Sequence, residues 1–436
     1  MTTTAGLSSD RLLVQIASYN TALQGLRGVP QDLVDWLSPT LKVSKFLSRQ
    51  HRAPDIVAVG FQELLPLHQG LAGRSSGVIK DRNALILSQL EAHAPNGERY
   101  SLVAHVVNVG VALLVYALDD GVSRHVRDVQ TQWTGCGPAY MGNKGAVGVR
   151  FRVQTKDGGL GEVYTFVGAH LTAHDYNIAR RISDYHHIAG SLLFPPLPGS
   201  PSGASTTMFS TSHLFFLGDL NFRLDLPPTS PYAGRVNAHR VEAALDTQSG
   251  REELKEFDQL LQERRKHTIF HGFREGEFWA FKCSYKFKIG EVDKYSGQRT
   301  PSWTDRILYA TYSDSPDITD SSGITSLLYT SIPSYTTSDH KPIVALLLLP
   351  SSTRAHEPDN TIPLLSLPHN FTPKPDPLTG IKKYTGRILD RIIGLFWSLL
   401  VFIGAGYTVV GICNFVLGLG AWTWWRSKPG NNSANV

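Results

Sequence analysis

Between residues 11 and 349 the chain alternates short β-type runs with turns and has only two stretches of helical spacing, a pattern that admits few architectures. Apolar or alternating runs occupy 11–18, 55–61, 101–118, 145–153, 163–171, 207–217, 305–310 and 342–349. Runs of that length and period read as strands, several of them apolar on both faces. Helical spacing is confined to Ile178–Leu193 and to Val236–Leu261 with its Glu, Lys and Arg faces. Many buried strands with few helices predict an α/β chain built as a four-layered sandwich, two packed mixed β-sheets flanked by helices. The stretch Phe194–Thr207 holds four prolines among Ser and Gly and is expected to be a surface loop. No internal repeat is visible.

Composition excludes some classes of function. With 42% hydrophobic and 18% charged residues the chain is neither disordered nor collagen-like. Cys136, Cys283 and Cys413 cannot form a disulfide framework, and no CxxC spacing marks a zinc site, so a reducing compartment is expected. The net charge of +5 is unevenly spread. Residues 351–436 hold eight Lys/Arg against four acids, which leaves 34 basic and 33 acidic groups in the first 350 residues. A generally cationic nucleic-acid surface is therefore not expected. The first apolar run, Leu12–Ala17, is short and interrupted by Gln15, so no cleavable signal is read and the amino-terminal part is expected in the cytosol.

Composition changes at Pro350. Seven of the 28 residues from Pro350 to Pro377 are proline, the signature of an extended linker. Beyond it, Ile392–Trp425 is 34 residues without a charge, long enough to cross a hydrocarbon core of about 30 Å as one transmembrane helix. Lys382, Lys383, Arg387 and Arg391 precede it, and Trp422, Trp424 and Trp425 stand before Arg426 and Lys428 as an interfacial belt. The expected organisation is a folded domain over 1–350, a Pro-rich and basic linker over 351–391, a tail anchor over 392–425 and a short luminal tail over 426–436. The six glycines of the anchor favour the thin bilayer of the endoplasmic reticulum, with the domain on the cytosolic side. A helical hairpin broken near Gly404–Gly411, returning the tail to the cytosol, is the alternative.

Five short blocks place carboxylates, amides and histidines at ends of the β runs: Phe61-Gln62-Glu63, Gly168-Ala169-His170-Leu171, Phe216 to Arg223 (FLGDLNFR), Pro301 to Leu308 (PSWTDRIL) and Ser338-Asp339-His340-Lys341-Pro342. Singly each has an ordinary explanation. Glu63 reads as a turn residue or helix cap, His170 as a core histidine, and Asp219-x-Asn221 as a turn. Their joint occurrence is what points to a shared cleft.

Together these blocks resemble the inositol polyphosphate 5-phosphatases of the DNase I-like superfamily. That family's WxGDxNxR and P[AS]WxDRIL signatures are matched at 216–223, with Phe216 for Trp, and at 301–308; its MGNKGAV and SDHKP blocks are matched at 141–147 and 338–342. The resemblance covers about residues 11–349. It implies a DNase I-like fold and Mg²⁺-dependent hydrolysis of a phosphate monoester, a reaction that needs a positioned water and positive charge around the phosphoryl oxygens. It implies that Glu63 and Asn20 hold the metal, that Asp219 activates water, and that Asn221 holds the phosphoryl oxygen and the base. His340, fixed by Asp305, and His170 would contact the phosphate, with Asp339 completing the acidic shell. Asn143 and Lys144 would approach substrate, and Tyr285, Lys286 and Arg299 would bind the neighbouring 4-phosphate. The family's Lys-x-Arg is here Gly297-Gln298-Arg299, so one lysine is missing. A membrane tether makes phosphatidylinositol 4,5-bisphosphate the first-choice substrate; a monomer with no nucleic-acid partner is expected. Another superfamily activity, nuclease or sphingomyelinase, and an inactive lipid-binding module are the alternatives.

Overall fold

Residues 11–23, 52–197, 203–234, 238–318, 321–351, 362–404 and 408–427 are described by the computed structural model. Its strands are β1 (Leu13–Asn20), β2 (Ile56–Gln62), β3 (Tyr100–Asn108), β4 (Val111–Leu118), β5 (Val126–Gly135) and β6 (Gly145–Val153), then β7 (Glu162–His170), β8 (His213–Asp219), β9 (Arg274–Glu275), β10 (Asp305–Thr311), β11 (Thr325–Ser331) and β12 (Ile343–Leu348). They form two six-stranded sheets, in the orders β11-β12-β1-β2-β4-β3 and β5-β6-β7-β8-β10-β9.

Central strands β1, β2, β8, β10 and β12 are buried at every position, which is why they read as largely apolar runs, with Gln15 and Arg306 among the polar residues buried in them. Alternate residues serve opposite layers. Ile16, Ala58, Phe166, Phe215 and Leu217 fill the space between the sheets. Val57 and Val59 turn outward onto Ile79, Ile86 and Leu90 of the helix Ser76–His93. On the far side Val167 and Phe216 pack on Tyr185 and Ile188 of the helix Ile178–Ser191. Helix, sheet, sheet and helix are the four layers.

The strands that matter to a site end together. β1 runs parallel to β2, and β7 to β8, so Asn20, Gln62, His170 and Asp219 finish at one edge of the sandwich. β10 and β12 run antiparallel to β8 and β1, and therefore begin there, with Asp305 opposite Asp219 and Ile343 opposite Ser18.

Four expectations differ from what forms. The run 101–118 is a hairpin, turned at Val109-Gly110, where Val109 has φ +56°. The run 207–217 becomes strand only from His213. The stretch 236–261 is divided into Ala238–Asp246, Gln248–Leu254 and Gln259–Arg265, because Thr247 and Asp258 cap the second and third helices through Gly250 and Leu261 N–H; residues 236 and 237 lie outside the described residues. The uncharged segment 392–425 is not one helix. Helix Thr379–Phe402 ends beside Gly404 at φ +83°, and a second helix spans Thr408–Ser427. No helix among the described residues is long and apolar enough to cross a membrane. Within 194–207, Phe194 and Thr206 form a bridge, and 198–202 lie outside the described residues. The prolines of 362–378 run extended along the domain, with Leu365, Leu367 and Phe371 against its outer core.

Candidate active site

Asp219, the last residue of β8, is buried at the meeting point of both sheets. Gly218 before it has φ +141°, and a Cβ there would lie 1.9 Å from Ala169 O, so only glycine delivers the chain to this position. Asp219 Oδ1 accepts the Asn221 N–H (3.1 Å), and Oδ2 accepts from Asn20 Nδ2 (3.0 Å). His170 Nε2 stands 3.3 Å from the same Oδ2, and His340 Nε2 stands 3.9 Å from it. The carboxylate thus lies between two imidazoles.

The two histidines are held differently. His340 Nδ1 donates to Asp305 Oδ2 at 2.9 Å, and Ser284 Oγ (2.7 Å) and Thr304 Oγ1 (2.9 Å) donate to that oxygen too. Burial works against a charged ring, but Asp305 and then Asp219 outweigh it, and His340 is pushed up to about 9. His170 is buried beside the Lys144 ammonium, and both causes lower its pKa, so its ring is neutral. Burial also lowers Lys144. Burial opposes ionisation of Asp219 as well; His340, His170 and Lys144 more than offset it and hold the carboxyl well below the usual range.

Glu63 follows β2 at φ +49°, its carbonyl accepting from Thr21 Oγ1 (2.8 Å) and Leu23 N (2.8 Å). Its carboxylate, one-third exposed, lies 3.9 Å from His170 Nε2. A hollow of about 120 Å³ opens beside it, lined by Leu23, Glu63, Leu65, Leu67, Val109, Gly110, Asn143, Lys144 and His170. Asn143 Oδ1 is buried there without a hydrogen-bond partner among the described residues, as is Asp305 Oδ1 in the cluster. Asn221, at φ +58°, donates from Nδ2 to Leu171 O (3.1 Å) and accepts from Arg223.

The specificity candidates are less closely gathered. The Tyr285 ring lies 4.5 Å from that of His340, and Lys286 Nζ donates to Asp339 Oδ2 at 2.8 Å. Arg299 is exposed and meets His174 (3.4 Å). Phe216, which stands in place of Trp, is in the outer layer against Tyr185, Phe270 and Phe273, so that exchange touches packing and no reacting group. Four residues of the site have no role in the sequence reading: Arg223, whose guanidinium covers Tyr285 at 4.3 Å and grips Asn221, the Asp305 donors Ser284 and Thr304, and Ser338, which donates to Asn20 O at 2.8 Å. Arg223, Thr304 and Ser338 sit within the short blocks and Ser284 directly before Tyr285, so adjacency is the only available signal.

Asp219, Asp305 and His340 also bring ligand atoms within 4.8 Å of one another, the spacing of a metal site. Ligation there would require His340 to give up its Nε2 proton, its Nδ1–H remaining on Asp305.

Residues 17–346 match the endonuclease/exonuclease/phosphatase family 2. The chain belongs to that family. Within it, the chain is 31% identical over 335 residues to the type II inositol 1,4,5-trisphosphate 5-phosphatase of Mus musculus, covering 76% of this chain and 30% of that protein. It is 30% identical over 342 residues to synaptojanin-1 of Rattus norvegicus, covering 73% and 20%. The chain therefore spans less than a third of the length of these two relatives. The fold matches the solved inositol polyphosphate 5-phosphatase domain of SPsynaptojanin, a complex with inositol (1,4)-bisphosphate and calcium, with a TM-score of 0.59 and 26% identity over 78% of this chain and 84% of that one.

Proposed function

We propose that the chain hydrolyses the 5-phosphate of phosphatidylinositol 4,5-bisphosphate, giving phosphatidylinositol 4-phosphate, with Mg²⁺ as its cofactor. It acts as a monomer whose tail holds it at the endoplasmic reticulum membrane, the domain facing the cytosol. The observation that carries this reading is the buried Asp219 carboxylate, held by Asn20 and Asn221 and set between the imidazoles of His170 and His340. Inositol phosphatases among the relatives, and inositol bisphosphate and calcium in the solved neighbour, support the substrate class and a divalent ion.

The donors fit such an ion. The Glu63 carboxylate accepts no hydrogen bond among the described residues, and Asn20 Oδ1 accepts the Ala22 N–H alone. Both are hard oxygen ligands of the kind Mg²⁺ and Ca²⁺ take, and they would hold it. The bound ion supplies positive charge that polarises the phosphoryl group. Asp219 orients the attacking water and receives its proton as the oxygen–phosphorus bond forms and the bond from phosphorus to the ring oxygen breaks. The ring oxygen leaves with the bonding pair and is protonated from solvent. A carboxylate of such low basicity acts late, once bond formation has made the water acidic. His340, kept charged and aimed by Asp305, meets the growing negative charge on the phosphoryl oxygens, as does Lys144. Asn221 is held rigid by Leu171 and Arg223 for the same purpose. Lys286 and Arg299 are the cations available to the 4-phosphate.

Phosphate release from a short-chain phosphatidylinositol 4,5-bisphosphate is expected with Mg²⁺ and not with a chelator, and Glu63→Gln should raise the Mg²⁺ concentration required. No release with Mg²⁺ overturns the activity; equal release in chelator overturns the cofactor.

A further inference from the structure

The helix Thr379–Phe402 has its polarity reversed relative to an ordinary surface helix. Its charged and small residues face the protein. Asp390 accepts the Gly142 N–H through both carboxylate oxygens (3.1 Å each), Arg391 donates to Leu71 O (2.6 Å), Lys383 to Gln132 Oε1 (2.7 Å) and Arg387 to Asn108 Oδ1 (3.3 Å). Gly386 and Gly394, four residues to either side of Asp390, let the helix lie on backbone: a Cβ would come within 1.9 Å of Tyr140 O at the first and 2.2 Å of Ala72 N at the second. The opposite face is Ile381, Tyr384, Ile388, Ile392, Phe396 and Leu399, spaced at three or four residues and each more than half exposed.

An apolar face of that length does not remain in water. The next helix, Thr408–Ser427, indicates what covers it. That helix is exposed at every described side chain from Phe415 to Trp425, carries no charge there, and includes Trp422, Trp424 and Trp425. Apolar faces backed by cations and continued by tryptophans fit the boundary between headgroups and acyl chains.

The docking also reaches the candidate active site. Gly142, held by Asp390, precedes Asn143 and Lys144 of the hollow; Leu71, held by Arg391, ends the short helix Leu67–Leu71, whose first residue lines the same hollow. We infer that Thr379–Phe402 lies in the plane of a lipid bilayer, its apolar face immersed and its polar face bolted to the catalytic domain, so that the domain is fixed against the membrane surface with the hollow beside it. The helix is thus a rigid mount and not a flexible leash. This rests on the reading of the chain as a membrane-held lipid phosphatase.

The test uses the full chain with Cys413→Ser and a polarity-sensitive fluorophore on Ile388→Cys, Phe396→Cys or, as control, the exposed Ile289→Cys. Phosphatidylcholine vesicles containing phosphatidylserine should shift the first two labels to the blue, and brominated acyl chains should quench them roughly twofold, as for a helix about 5–10 Å deep, leaving the control unchanged. Solvent-like labels at 388 and 396 on protein that sediments with vesicles would overturn the proposal, as would failure to sediment. A blue shift without vesicles that grows with protein concentration would assign the face to a second copy and overturn it too. Mg²⁺-dependent phosphate release from the soluble headgroup, read on the same labelled samples, scores the phosphatase reading separately.

Discussion

Asp219 receives hydrogen bonds from Asn20 and Asn221 and faces two imidazoles, so a change there removes charge with little change of shape. Asp219→Asn is expected to fold as the parent does and to lose at least ~10²-fold in turnover, the lower end for lost general-base catalysis. A folded Asn variant at near-parental rate would remove Asp219 from the chemistry. His340 makes a second expectation, of stability and not of rate. Its pKa rises from the ordinary 6.5 to about 9 on folding, so between those values the folded chain holds a proton that the unfolded chain has released. Its contribution is complete below about pH 6.5 and is lost as pH rises through about 9, on the order of 3 kcal/mol across the window. Urea midpoints at both ends of the window, without divalent cation, should show that loss in the parent and little of it in His340→Gln. At this scale the sequence is informative about identity and silent about state. Asp219, His340 and Asp305 stand in recognisable blocks, but that one histidine is raised and the other lowered follows from Asp305 on one side and from burial beside Lys144 on the other, surroundings that only the folded chain supplies.

Elements are legible where burial is two-sided. The strands β1, β2, β8, β10 and β12 are covered on both faces and announce themselves as apolar runs, whereas β5 and β11, mostly exposed or half-buried, leave no such run. The helix Ser76–His93 escapes the sequence reading for a related reason: its buried stripe Val78, Ile79, Arg82, Ile86, Leu90 contains an arginine, and Leu85 and Leu87 fall beside it, blurring the period. Burial of charge also ties elements together. Arg306 of β10 is fully buried, donating to Glu275 of β9 (2.7 Å from both Nε and Nη2) and to Asp258 (2.9 Å), which caps the helix Gln259–Arg265. Arg306→Met would leave two buried carboxylates without that cation and is expected to destabilise by about 3–5 kcal/mol, measured by chemical unfolding. A loss under ~1 kcal/mol would mean that Arg264 and Tyr329, the other groups touching Glu275, suffice.

At the scale of the whole molecule the sequence places a domain boundary at residue 350, where proline becomes frequent, and that inference takes stiffness for detachment. A proline-rich segment cannot supply many N–H donors, yet it can lie along a surface and offer carbonyls and side chains. Residues 362–378 do so: Ser212 Oγ donates to Pro363 O (2.5 Å), Leu365 N–H to Thr211 O (2.9 Å) and Asp376 N–H to Gly190 O (2.9 Å). Phe371 stacks on His271 with centroids 4.1 Å apart and meets Phe209 edge-on at 5.3 Å. A chain ended at residue 350 would uncover the surface under Leu365, Leu367 and Phe371, each half-buried side chain contributing on the order of 1 kcal/mol. Ending the chain at Leu378 keeps that strap and removes only the two tail helices. The shorter protein is expected to melt at least ~3 °C below the one ended at 378, in line with a few kcal/mol spread over a domain of this size. Melting curves of the two truncations in one buffer decide the matter, and coincident midpoints would return residues 362–378 to the status of a linker.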